Sequence, residues 1–433
     1  MSGLSISDPV TLQVALTSGR IIPGDTILIC PGTYTGNFTS TIIGSAALPI
    51  TIKPHPGAEV TIDGKLSING PYTRWENMRF TTSSWISRTT DISGSEPDDM
   101  PFNDGVSINA AGVQFINNIV HNNSTLWAGY EAVAAEVYGN ILFNNGWSGP
   151  DRGHVHGLYT QNLDTRKIVK DNIAFQNFST GLKFYGGSGY CNNYDIIGNI
   201  CFNNGILYDR GMGDAGAHVN WNFLIGSWTP TSVGVIIRNN KSYWVNPVPE
   251  GMIGSNSNNL CSGSGDVAPP TGGLDSPIFE DNYFAGEDAD FIGTNRGPLI
   301  TPQVLGNTFI GNVPDDIIYS GNNYFSNPYS VNAVFVSVND YNAERVHVAI
   351  YNWEGLNSVV IDLTSIASLS VGDHVNVTNV QDLFTDITEL VLDANKCITV
   401  DMRAISHTVA APILWDAPPT TFPTFGCFII ELV

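Results

Sequence analysis

Charge is what this sequence has least of. Only 13% of its 433 residues are Asp, Glu, Lys or Arg, and acids outnumber bases 40 to 18, a formal charge of −22. Binding through phosphates needs clustered Lys and Arg, so no nucleic-acid partner is expected. No apolar run approaches the roughly 18–20 residues of a membrane helix, so no membrane span is expected. The opening "MSGLSISDPVTLQ" has neither the basic nor the apolar segment of a secretory leader. An acidic chain of this kind suits work outside a cell or on a virion surface, and either location is the expectation. The six cysteines, Cys30, Cys191, Cys201, Cys261, Cys397 and Cys427, form no CxxC pair and show no zinc spacing.

Turn formers and small polar residues are plentiful. There are 44 glycines and 24 prolines, with much Asn, Thr, Ile and Val, which favours a β-rich chain with many turns. One pattern recurs: "FINNIVHNN" from 115, "YGNILFNNG" from 138, "KDNIAFQNF" from 170 and "IGNICFNNG" from 197. Weaker copies follow in "IRNNKSYW", "EDNYFAG", "LGNTFIGN" and "SGNNYFSN". Asn118, Asn140, Asn172 and Asn199 lie 22, 32 and 27 residues apart, a basic unit with insertions, as in a solenoid. The Ile after each Asn and the Phe two positions later share one side of a strand and stack into an apolar column. The asparagines form a stack of their own, with amides bonding at each bend. Cys201 takes the place of Leu142 and Ala174 in this pattern, which reads as a small packed side chain.

Stacked coils of short parallel strands need covered ends. "TLQVALTS" is amphipathic and helix-like, and "PGDTILICPGTY" turns into strand. Pro23, Gly24 and Asp25, then Pro31, Gly32, Thr33 and Tyr34, resemble the N-terminal cap of β-helix polysaccharide lyases. On these residues the first three quarters of the chain is similar to the family that includes chondroitinase B-like and alginate lyases. From about Asn332 the texture changes to antiparallel alternation, as in "NAVFVSVNDYNAERVHVAIYNWEG" and "FGCFIIELV". The expected fold is all-β: a right-handed parallel β-helix with its cap over residues 1–330, and a C-terminal antiparallel β-sandwich over 331–433.

Strands preceding the Asn rungs align as "DGVSIN" (104–109), "HGLYTQN" (156–162), "TGLKFYG" (180–186) and "GAHVNWN" (216–222). Val106, Leu158 and Leu182 then point inward, and Ser107, Tyr159 and Lys183, with Asn109, Gln161 and Tyr185, point outward. Residues 150–210 hold six of the 18 Lys and Arg against five acids, a locally basic strip on an acidic protein. Such a strip, with His154 and His156, fits an acidic polysaccharide.

β-Elimination of a uronate needs a cation at the carboxylate, a base for the neighbouring C–H and an acid for the leaving oxygen. The resemblance implies Lys or Arg as base, sometimes with calcium. Lys183 is then the base, Arg210 in "YDRGMGDAG" the neutralising cation, and Tyr185 or His156 the acid. Tyr159, Gln161, Arg152, His154 and His218 are expected to bind substrate. Calcium would suit the acids of "SEPDDMPFNDG" or "GEDADF", although neither has an EF-hand pattern. Rival readings are a glycoside hydrolase using two of Asp151, Asp164, Asp195, Asp209 and Asp214, a non-catalytic glycan-binding or adhesin-like protein, and a virion tailspike. A spike would be a trimer with an apolar lateral stripe; the sequence leaves the oligomeric state open.

Overall fold

The computed structural model describes residues 7–100, 105–186, 189–207, 221–227, 230–244, 257–261, 272–288, 292–293, 299–312, 319–326 and 329–433. The chain divides into two compact units, Met1–Tyr324 and Phe325–Val433.

The first unit is a parallel β-helix, and its local rule is a left-handed residue followed by Asn. Asn117, Gly139, Asp171, Gly198, Asn239, Asp281 and Gly306 all have φ between 54° and 71°. Each immediately precedes a ladder asparagine: Asn118, Asn140, Asn172, Asn199, Asn240, Asn282 or Asn307. Gly, Asn and Asp tolerate this conformation best, which explains the repeated "NN", "GN" and "DN" pairs. The Oδ1 of each ladder asparagine accepts the backbone N–H of the one before, at 2.8–3.0 Å, from Asn118 through to Asn322. The Nδ2 groups donate to strand carbonyls and to the next Oδ1, as Asn172 does to Val137 and Asn199. A buried amide satisfied on both sides is a strong constraint on register.

A second ladder, Asn123, Asn145, Asn177, Asn204 and Asn222, marks another corner. In the first two coils the same corner is turned without asparagine. There the long strands Gly32–Ser40 and Val60–Ile68 bend at the paired Gly36 and Gly64, with φ of 136° and 135°. A Cβ on Gly64 would lie 2.3 Å from the Gly36 carbonyl oxygen, so no larger residue fits.

Between the corners run three main stacks of short parallel strands, with a smaller one of Ser232–Val233, Leu274–Asp275 and Leu299–Ile300 beside them. One is the ten-stranded sheet through Val137, Val169, Ile196 and Ile237; the other two share the long strands of the first coils. The central residue of each three-residue strand after the first ladder, Val120, Leu142, Ala174 or Cys201, joins the main core. Cys201 is therefore a packed side chain opposite Ala174, as the pattern implied. Cys30, Cys191, Cys397 and Cys427 carry free thiols. The flanking rings stack on the other side of these strands: Phe143 on Phe175 at 5.0 Å and Phe175 on Phe202 at 4.8 Å, nearly coplanar. At the N-terminal end the helix Leu12–Leu16, capped by the Thr11 hydroxyl, seals the core with Leu12 and Leu16.

The second unit sets a five-stranded antiparallel sheet against the hairpin-like pair Ser358–Asp362 and Cys397–Asp401. Val346, Val348, Ile361, Val375, Ile398 and Phe428 fill the space between them. This is a small sandwich.

Asn172→Ala removes one carbonyl-bound amide and takes the acceptor from the Asn140 backbone N–H and from one Nδ2 hydrogen, the other staying on the Phe115 carbonyl. A loss of about 2–4 kcal/mol is expected from such a buried gap, read as a lower midpoint in urea unfolding.

Candidate functional site

Side chains converge on the outer face of one stack of strands. Val106–Ile108, Leu126–Ala128, Leu158–Thr160, Leu182–Tyr185 and Trp221–Gly226 pair in parallel, one above the next. Val106, Leu126, Leu158, Leu182 and Phe223 form the buried column, each fully buried. Period two then sets Ser107, Trp127, Tyr159, Lys183 and Leu224 on the other side. The expected outward placement of Ser107, Tyr159 and Lys183 holds. Two strands differ from the sequence alignment. Leu126–Ala128 is an extra rung, hidden because Thr125 stands where other rungs have Gly. The rung after Lys183 is Trp221–Gly226 rather than "GAHVNWN", because Phe223 supplies the bulky apolar side chain opposite Leu182. His218 and Arg210 lie outside the described residues.

Gly157 and Gly181 recur for a steric reason. A Cβ on Gly157 would lie 2.7 Å from the Gly181 carbonyl, and one on Gly181 would lie 2.5 Å from the Asn204 amide. "DRGHVHGLYTQN" is thus a rung from Gly157 onward. What precedes it is an antiparallel hairpin, Trp147–Ser148 with Gly153–His154, closed by a Gly149 N–H to Arg152 carbonyl bond of 2.9 Å.

The hairpin ends at Val155, whose φ of 73° places a β-branched residue in the left-handed region. Such strain persists only where the surroundings impose it. It separates the two histidines. His154 is buried, stacks on Trp147 at 5.5 Å, and its Nε2 lies 2.8 Å from Asp151. Asp151 also accepts from Arg152 at 2.7 Å, and Arg152 reaches Ser95 at 2.8 Å. Burial pushes His154 below its ordinary value against the pull of Asp151. The 82–100 segment docks on this hairpin: Thr90 N–H bonds to Ser148, and Ser148 N–H to Arg88. The buried Arg88 guanidinium lies between Trp85 and Phe178, at 4.4 and 4.8 Å, and donates to the Asn144 carbonyl.

His156 points the other way, to Lys183. Its Nε2 lies 3.1 Å from the Lys183 Nζ, and its Nδ1 accepts the Thr180 backbone N–H at 3.3 Å. Lys183 also sits over the Tyr159 ring at 4.6 Å and near the Tyr185 ring at 5.4 Å. Trp127 packs edge-on to Tyr159 at 4.8 Å, extending the aromatic strip by one coil. Gln161 donates to the Tyr185 carbonyl at 3.3 Å. Burial, and then the Arg152 charge, pushes the Lys183 amine down to about 7. Burial, then the charges of Lys183, Arg152 and His154, holds His156 well below its usual range. Burial chiefly pushes the Tyr159 phenol up to about 12, so it keeps its proton.

The basic strip read from the sequence is not one strip. Arg166 and Lys170 sit with a different sheet, Arg166 paired to Asp195 at 2.6 Å. Lys167 is interior, its ammonium bound by the Ala128, Gly129 and Gln161 carbonyls at 2.8–3.1 Å. Sequence neighbours separate here because consecutive residues turn the solenoid corner. Of the acids that a hydrolase could use, Asp151 is committed to His154 and Arg152, Asp195 to Arg166, and Asp164 is exposed. Asp209 and Asp214 lie outside the described residues. No group of three or more His, Cys, Asp or Glu that could hold a metal ion occurs among the described residues. The Asp99 carboxylate, within one suggested calcium loop, accepts from the Thr90 hydroxyl.

Trp127, Thr180 and Arg88 escaped the sequence reading. Trp127 was legible in "TLWAG" as an apolar–aromatic–apolar rung; Thr180 acts through its backbone, which no side-chain pattern signals.

No protein-family model and no curated protein matches this sequence. Among solved structures the chain is similar in fold to pectate lyase Pel9A, at 14% identity and TM-score 0.41, over 69% of this chain and 76% of that one. It is similar to a mannuronic acid specific polysaccharide family 6 lyase from human gut microbiota, at 14% identity and TM-score 0.31, over 72% and 79%. An alginate lyase from Paenibacillus sp. str. FPU-7 matches at 13% identity and TM-score 0.34, over 73% and 94%.

Lys167→Met would take the donor from the Gln161 carbonyl, while Ala128 keeps the Thr160 hydroxyl and Gln161 N–H and Gly129 keeps the Ala132 N–H; a loss of about 1–3 kcal/mol is expected in thermal unfolding.

Proposed function

We propose that the protein is a polysaccharide lyase that cleaves an acidic, uronate-containing glycan by β-elimination, with Lys183 as the base. The observation that carries this reading is the Lys183 amine itself: outward-facing, set among aromatic rings, and bonded to a histidine rather than to a carboxylate. A base near neutrality combines availability with proton affinity, and a lysine down at about 7 meets that condition. Trp127, Tyr159 and Tyr185 offer ring faces along which sugar units can lie. Arg152, whose charge acts on Lys183, and Arg210 are the groups proposed to offset the substrate carboxylate. Offsetting that charge is what makes the neighbouring C–H acidic. Tyr185, beside Lys183, is proposed to protonate the leaving oxygen. Gln161, His154 and His218 complete the proposed binding set, His154 by fixing the hairpin that carries Arg152.

A hydrolase needs two carboxylates flanking the bond, and of the described candidates Asp151 and Asp195 are already paired. The aromatic strip alone favours a second reading, a glycan-binding face without chemistry. The lateral spike surface has less support. The outer side of the ten-stranded sheet carries polar ladders, with Arg74 to Gln114 and Gln114 to Glu136 at 2.8 Å, and Arg238 to Glu280 at 2.7 Å.

Incubation with alginate, pectate and chondroitin, with and without calcium, should raise ultraviolet absorbance from unsaturated sugar ends on one substrate. Lys183→Ala should lower that rate about 1,000-fold, the size of a general-base contribution. Because the amine must be uncharged, kcat/KM should climb as pH rises through about 7 and level off above it. Binding without new absorbance or new reducing ends would leave the glycan-binding reading in its place.

A further inference from the structure

The two bonds of His156 leave little freedom about protons. A backbone N–H is always a donor, so the Nδ1 atom that Thr180 addresses must present a lone pair. A neutral imidazole has one N–H, and it must then be on Nε2. The imidazolium form is excluded because it would place N–H against N–H. A charged lysine ammonium, which has no lone pair, would face that Nε2–H at 3.1 Å and repel it. The reverse arrangement, ammonium donating to a bare Nε2, would need an imidazole with no proton at all. Only one state satisfies all three groups: Thr180 N–H to Nδ1, and Nε2–H to the lone pair of a neutral Lys183 amine.

We propose that His156 is a positioning residue: locked in its Nε2–H tautomer by the Thr180 main chain, it keeps Lys183 uncharged by lending an N–H to the amine lone pair, which is freed for the substrate proton when the amine turns from that bond. This builds on the reading of Lys183 as the base and removes His156 from the acid role. The lock lies in the fold. Thr180 is buried, its carbonyl receives the Gly157 N–H, and the Thr125 hydroxyl holds the His156 carbonyl at 3.0 Å. His156 therefore sits between two adjacent coils whose register the asparagine ladders set. The groups facing Lys183 among the described residues are His156, Tyr159, Tyr185 and the Arg152 charge, with His154 acting on His156. None is a carboxylate that would favour the ammonium. When the amine takes a proton from substrate it loses its His156 partner, so the lock also favours passing that proton on.

The test has two independent readouts. In protein labelled with 15N-histidine, long-range nitrogen–proton spectra at pH 8 should show, besides the Nε2–H signal of His154, an Nε2–H histidine signal that is absent in both His156→Phe and His156→Gln. Separately, an amine-directed acylating reagent followed by peptide mass spectrometry measures the Lys183 reaction rate against pH. In wild type the midpoint should lie near 7. In His156→Phe it should move up by one unit or more, a drop of about fivefold in free amine at pH 7. His156→Gln should largely restore it, since its amide can accept from Thr180 and donate to Lys183. An Nδ1–H or imidazolium spectrum, or a Lys183 midpoint unmoved in His156→Phe, overturns the proposal. If His156→Phe does not fold, the wild-type midpoint and the Gln-assigned tautomer still decide. A confirmed lock with no glycan cleaved would leave this inference standing and remove the lyase reading instead.

Discussion

The amide-to-backbone bond between one ladder asparagine and the next is the constraint on which everything else rests. Coils of unequal length must be brought into register if an outward residue in one is to lie above an outward residue in the next. A one-residue slip would exchange Lys183 with Leu182 and put a charge in the core. Two asparagine ladders at two corners oppose it, because a slip would break buried amide bonds at both ends of the short strands between them and at one end of the strand that carries Lys183. Insertions are then carried outside the register, as the hairpin between Phe143 and Leu158 and the 82–100 segment show.

Those insertions make the site. A bare solenoid face offers period-two columns of side chains and little enclosure. The hairpin adds Arg152 and His156, and the docked segment fixes the hairpin through Arg88, Thr90 and Ser95. The strained Val155 backbone lets two histidines one residue apart serve opposite ends. One anchors the hairpin through Asp151 and Trp147, and the other addresses Lys183. The site is accordingly half scaffold and half insertion, with the amine on the rigid half.

Much of this was legible beforehand. Left-handed residues favour Gly, Asn or Asp, so the first-ladder corner wrote itself into the chain as "NN", "GN" or "DN", while Gln176, Ala134 and Tyr72 turn other bends without that signature. Period two gave the outward positions of Tyr159, Lys183, Gln161 and Tyr185. The Leu126 rung was hidden by Thr125, and the fourth aligned strand was misplaced because Phe223, not a residue of "GAHVNWN", fills the buried column. Nearness in sequence misled for charge: Lys167 and Lys183 both belong to the basic stretch, yet one is an internal staple and the other an outer amine. The His156 lock could not be read at all. It depends on a main-chain N–H from the next coil, which carries no residue identity.

The central claim is that the Lys183 amine on this outer face gives up its charge near neutral pH, at about 7. It is tested most directly by titrating the lysine side-chain resonances of 13C-labelled protein, with Lys183→Met identifying the signal. Burial also pushes the interior Lys167 down to about 7, so the result predicted is a signal turning over near pH 7 that disappears in Lys183→Met while that of Lys167 remains. A Lys183 signal that stays charged to pH 10 would contradict it.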